Sequence, residues 1–192
     1  MTEDALLVVP DVAAWRGWLD EHEDASDGVW LVLAKKGTTE PTALGYQDAL
    51  LEALCSGWID GQKRSRDAAT FVQRFTPRRA RSIWSQRNVG LVARLADQGR
   101  LRPRGLAEVE AARADGRWDR AYAGPATAQV PPDLAAALAA TPGAAETFAS
   151  LDAQNRYAVL HRVSTAPDDT VRARRLARLV DMLARGERPH PR

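Results

Sequence analysis

Asp60 is the residue in this chain best placed to do chemistry. It sits in the run Trp58-Ile59-Asp60-Gly61, where a carboxylate among apolar neighbours is expected to be half-buried and to require a partner. Arg74 or Arg78, from the strand expected beside it, is the natural candidate. A carboxylate so held can act as a general acid or base, or it can be one half of a structural Asp-Arg pair. Around it in sequence lie Trp58, Lys63, Arg74, Arg78, Trp84, Ser85 and Asn88. Together these offer forked guanidinium donors, aromatic planes, a hydroxyl and an amide, which suit a phosphate, a carboxylate or a nucleobase. Trp84-Ser85-x-x-Asn88 falls at an expected helix start, where free backbone N–H groups can receive an anion; capping and core packing are the structural alternative there.

Other reactive residue types point less far. Lys35 and Lys36 follow an apolar run and are expected in solvent. Cys55 stands among Leu50, Leu51 and Leu54 as a small buried hydrophobe. His22, His161 and His190 fall on separate elements without ligand spacing, so neither a metal site nor a cofactor is expected. The glycine-rich phosphate loops, His-Glu-x-x-His and Gly-x-Ser-x-Gly are absent from the sequence, and with them the common catalytic signatures.

The elements that must position these residues are largely readable. Asp11 can cap a first helix in which Trp15, Trp18, Leu19 and His22 share one face. Asp27-Gly28 makes a turn into Val29-Trp30-Leu31-Val32-Leu33-Ala34, a continuous apolar run expected as a central strand. A helix over 46–56 follows and stops at Gly57. Residues 58–64 and 70–76 read as an antiparallel hairpin, with Trp58, Asp60 and Gln62 on one face by alternation. Ser82 or Ser85 would cap the next helix, which Gly99 closes, and another runs from Pro103 through Ala114. Residues 124–132, rich in Pro and Ala, read as a linker. Beyond it Asp133, Thr141-Pro142, Asp152 and Asp168 mark four helix starts. The expectation is an α+β fold: a module over 1–123 with a small, mainly antiparallel sheet packed with helices, then a small all-helical module over 133–192.

At 192 residues with 45% hydrophobic and 27% charged positions, the chain has the composition of a folded soluble protein. Its start, Met1-Thr2-Glu3-Asp4, is acidic, and the short apolar run before Pro10 does not resemble a signal peptide. The lone Cys55 fits a reducing compartment, so a cytoplasmic location without membrane insertion is expected. The net charge of +2 conceals an imbalance: residues 60–105 carry 12 Lys and Arg against 3 Asp, a local +9. Such a segment forms either an anion-attracting face or a surface of internal ion pairs.

The landmarks also carry a resemblance. Trp15-Arg16-Gly17-Trp18-Leu19, Gly28-Val29-Trp30-Leu31, Leu54-Cys55-Ser56-Gly57-Trp58-Ile59-Asp60-Gly61, Arg74-Phe75-Thr76-Pro77-Arg78, Ser82-Ile83-Trp84-Ser85 and Gly116-Arg117-Trp118 occur in the order seen in the YdeI/OmpD-associated, or bacteriocin-protection, family, which this chain resembles along nearly its whole length. The match loosens at the last helix, where such proteins carry a Lys-rich start and this chain has Asp169-Thr170-Val171-Arg172. The resemblance implies protection against peptide antibiotics or bacteriocins. A porin association is implied by the family name alone, and no reaction is implied.

Two functional expectations follow. The first is a non-catalytic module binding an anionic small molecule or macromolecule through its basic, Trp-bearing surface. Nucleic acid is the less favoured partner, since no winged-helix, oligonucleotide-barrel or RNA-sheet signature is present. The alternative is a small enzyme acting on an anionic metabolite, with Asp60 as acid/base and Arg74, Arg78 and Asn88 as clamps.

Overall fold

The computed structural model describes residues 5–190; the acidic start Met1-Thr2-Glu3-Asp4 lies outside the described residues. The described elements run β1 (Leu6–Leu7), α1 (Val12–His22), β2 (Val29–Ala34), α2 (Tyr46–Cys55), β3 (Trp58–Ser65), β4 (Thr70–Pro77), α3 (Gln86–Asp97), α4 (Pro103–Ala114), α5 (Pro132–Ala139), α6 (Pro142–Ala149), α7 (Ala153–Ser164) and α8 (Asp169–Ala184). This is an α+β fold, with a four-stranded sheet of order β1-β2-β4-β3 in the N-terminal half. β1, which is too short to show any alternation, pairs parallel with β2, and the other pairings are antiparallel.

The chain divides into two compact units. One comprises the chain up to Ser82 together with Asn88–Gly116; the other comprises Ile83–Arg87 together with the chain from Arg117 onward.

In the first unit, Asp11 caps α1 by accepting from the Ala14 N–H at 2.9 Å. The helical spacing then stacks Trp15 on Trp18 and Trp18 on His22, with ring centroids 5.3 and 4.5 Å apart. Trp15 also meets Phe75 of β4, and Trp18 meets Trp58 of β3 edge-on. Buried indoles need acceptors: the Trp15 Nε1–H donates to the Ala49 carbonyl at 3.1 Å and the Trp58 Nε1–H to the Glu23 carbonyl at 3.2 Å. β2 is buried along its whole length, as a strand with neighbours on both edges and an apolar sequence should be.

Helix α2 ends where Gly57 adopts φ +69°, the left-handed conformation that glycine reaches without strain. α4 then approaches α2 so closely that a Cβ on Gly105 would lie 2.2 Å from the Cys55 carbonyl oxygen.

The β3–β4 hairpin departs from simple alternation. Asp60 is opposite Phe75 but Lys63 is opposite Gln73, so one extra residue is inserted between Asp60 and Lys63. This bulge reverses the sidedness of everything beyond it. Lys63, not Gln62, therefore shares the face of Trp58 and Asp60. Its ammonium sits 4.2 Å from the centre of the Phe71 ring on that face, while Arg64 covers Trp30 on the other at 3.8 Å.

Ser82, expected as a helix cap, instead accepts from the Arg79 N–H at 2.9 Å and serves the preceding turn. The N–H of Gln86, the first residue of α3, donates to the Tyr122 carbonyl at 2.9 Å, and the Tyr122 N–H donates to the Trp84 carbonyl at 2.9 Å. Ser85, the other expected cap, directly precedes the first residue of α3.

In the second unit, Leu134, Leu138, Phe148, Val159, Val163 and Leu183 are among the residues of one apolar cluster fed by all four helices. Asp152 and Asp168 cap α7 and α8 as expected. Asp133 does not cap α5. The helix begins two residues earlier than such a cap requires, at Pro132, with extended Pro131 before it, because proline is pre-organised for the first helical position and its missing N–H costs nothing there. That leaves the Asp133 carboxylate for Arg172, whose Nε and Nη2 donate to it at 2.7 and 2.8 Å.

Candidate functional site

The positions singled out around Asp60 are distributed over several environments. Trp58 is fully buried in the aromatic core. Asp60 is half-buried on the same sheet face, and its Oδ2 accepts from the Tyr46 hydroxyl at 2.8 Å. Its partner is thus Tyr46, in place of the expected arginine. The register explains why: Arg74 is paired with Trp30 and faces the opposite side of the sheet, where its Nη2 lies beside Gly28. Arg78 is buried, and its backbone N–H donates to the Gly57 carbonyl at 3.0 Å. Asn88 is buried on α3 in the first unit. Trp84 and Ser85 belong to the second unit, Trp84 buried against Trp118 with centroids 5.0 Å apart and Ser85 bridged to Tyr122. Cys55 is buried as expected, and that burial, with Glu52 nearby, pushes its thiol pKa up, which keeps it from being a nucleophile at neutral pH.

Much of the basic segment is consumed internally. Glu52, buried on α2, receives Arg100 Nη2 at 2.5 Å and Arg102 Nη2 at 3.3 Å. Arg102 also reaches Asp20 at 2.9 Å and the Ser56 hydroxyl at 2.5 Å. Arg104 pairs with Asp24 and Arg66 with Asp67. A buried carboxylate needs such donors to stay ionised, so these arginines fasten α1, α2 and the start of α4 to one another.

A cationic surface does form, in the second unit. A groove of about 520 Å³ is lined by Arg162, Thr165, Arg175, Arg178, Leu179 and Met182 of α7, its C-cap and α8. Arg175 is fixed there, its Nη1 donating to the Arg162 carbonyl at 3.0 Å and approaching the Thr165 hydroxyl at 3.5 Å. Among the described residues, no carboxylate lies within ion-pair distance of Arg162, Arg175 or Arg178. Leu179, nearly buried, and Met182 give the groove an apolar floor. Three guanidinium groups over an apolar base can hold an anionic group by forked hydrogen bonds and its hydrocarbon by contact. Sequence reasoning missed this groove: Arg175, Arg178, Leu179 and Met182 recur at spacings of three and four, but the contribution of Arg162 from a second helix leaves no local signal.

Architecturally the chain joins a sheet-and-helix unit to a four-helix unit. The chain belongs to the family described as a domain of unknown function (DUF8412), whose model matches residues 7–108. Residues 127–186 match the family model described as bacteriocin-protection, YdeI or OmpD-associated. That match covers the helical part, including the α8 start where the resemblance is looser, while the segment bearing most of the resembling landmarks falls under the first model. No curated protein and no solved structure matches the chain. Among the described residues no helix is long and apolar enough to cross a membrane.

Proposed function

We propose that this protein is a non-catalytic binding module for an anionic partner, that the partner seats in the α7–α8 groove, and that it acts in the cytoplasm. The observation that carries this reading is the trio Arg162, Arg175 and Arg178 facing one groove with no carboxylate in ion-pair range among the described residues. The groove lies within the residues matched by the bacteriocin-protection model, so tolerance of antimicrobial peptides is the setting we assign to it. The enzyme alternative centres on Asp60. Its Oδ2 is occupied by the Tyr46 hydroxyl, a bond that ties the start of α2 to β3 and gives Asp60 a structural task, and binding is therefore the preferred reading.

The test is binding to fluorescent dextran sulfate with uncharged dextran as control. The sulfated polymer should bind, and log K should fall with log salt with a slope of about −2 to −3 for three neutralised contacts. The triple variant Arg162→Ala, Arg175→Ala, Arg178→Ala should lose the interaction while keeping its fold. Binding that survives the triple variant, or that is absent even at low salt, refutes the assignment.

A further inference from the structure

A second concavity in the helical unit has a different chemical character. It encloses about 640 Å³ between α7, the start of α8 and the segment around 119–129, a volume suited to a small molecule. One wall is aromatic. Tyr122 and His161 meet edge to face with centroids 4.7 Å apart, and Tyr157 lies 5.6 Å from His161. The Tyr157 hydroxyl donates to the Ala123 carbonyl at 3.1 Å, which fixes that ring. Burial, with Tyr122 beside it, pushes the Tyr157 pKa up, and burial with nearby Arg175 pulls that of His161 down. The Tyr157 and His161 rings are thus uncharged at neutral pH.

The charge around this wall selects the ligand. Asp119, Asp168 and Asp169 line the cleft, and none of them is in an ion pair with another described residue. One Asp168 oxygen caps α8 through the Val171 N–H at 2.7 Å. Two arginines also line it. Arg172 is engaged by Asp133 and by the Val163 carbonyl at 3.0 Å and is attracted by Asp169 from beyond ion-pair distance, and Arg120 has an interaction of its own. The excess charge facing the cavity is negative.

We propose that this cleft binds a small organic cation, an aromatic or alkyl ammonium, whose body lies against Tyr122, Tyr157 and His161 and whose charge faces Asp119, Asp168 and Asp169. Neutral ring faces attract such cations, and carboxylates outside ion pairs add a charge term that a neutral isostere cannot use. The site is separate from the arginine groove and does not depend on its role.

Ligand-observed NMR titration of the full chain with benzylammonium, benzyl alcohol and benzoate tests this. Benzylammonium should bind saturably and at least about tenfold more tightly than the alcohol, and benzoate weakest of the three. The double variant Asp119→Asn, Asp169→Asn spares the Asp168 cap and should retain its helical circular dichroism while losing that preference. The Arg162, Arg175, Arg178 triple variant should bind benzylammonium as the wild type does. The proposal is overturned if the alcohol or benzoate binds as tightly as the ammonium, if the double variant keeps the preference, or if no saturable binding is seen up to about 10 mM.

Discussion

The 12 cations of residues 60–105 and the arginines of α7 and α8 make an instructive pair. Charge density along the chain favours the first region, which carries a local +9; residues 117–192 carry 11 Arg against 8 Asp and Glu, only +3. In space the ranking reverses. Arg100, Arg102 and Arg104 are drawn onto Glu52, Asp20 and Asp24, carboxylates that lie outside the segment and dozens of residues before their partners. Among the described residues Arg162, Arg175 and Arg178 meet no such acid. What makes a cation available to a partner is the absence of acids folded against it, and linear charge density does not report that.

The comparison can be broken most forcefully at Gly105. Replacement by Ala drives a methyl into the Cys55 carbonyl, and unfolding of the first unit should move by about 3 kcal/mol or more, read as a fall in thermal midpoint. Glu52→Ala comes next: it strands Arg100 and Arg102 and should cost about 3 kcal/mol, read by denaturant titration. The groove arginines should behave in the opposite way. The triple Ala variant should change stability by no more than about 0.5 kcal/mol per site while anion binding collapses. If stability falls as far as it does for Glu52→Ala, the groove arginines are structural too and the contrast disappears.

Acidification should act more gently and on the helical unit. His161 has its folded pKa below the ordinary value of 6.5 because burial and Arg175 disfavour its charged form. Its contribution is therefore complete above about pH 6.5 and is lost as pH falls toward the depressed folded value, since the unfolded chain takes up the proton first. Asp133, held below its usual 3.8 chiefly by the Arg172 hydrogen bond, gives a second loss as pH falls from about 3.8 through its own folded value. Thermal unfolding from neutral to acidic pH should show both, with His161→Gln removing the upper one and Asp133→Asn the lower.

Features decided within one turn of chain were legible in the sequence. Asp11, Asp152 and Asp168 cap the helices they precede, Gly57 and Gly99 end helices, and the six-residue apolar run is an interior strand. Features decided by pairing were not. Alternation assumes a regular pleat, so the bulge after Asp60 misassigned Gln62, and only the register of β3 on β4, which sets Asp60 opposite Phe75, reveals that Arg74 faces away from Asp60. At Asp133 two local preferences competed, and the proline start won over the aspartate cap. For the helical cleft, Tyr157 and His161 are four residues apart on α7, a spacing that puts two rings on one face. Their partner Tyr122 comes from before the helices and carries no periodic signal.

The assignment of Ile83–Arg87 to the later unit has a consequence for biogenesis. As the chain leaves the ribosome, these five residues emerge before the stretch that completes the first unit, and they must wait until Trp118 and Tyr122 follow it before meeting those partners. The order of synthesis is therefore not the order of assembly, and a single break in the backbone between 88 and 116 would sever both units at once.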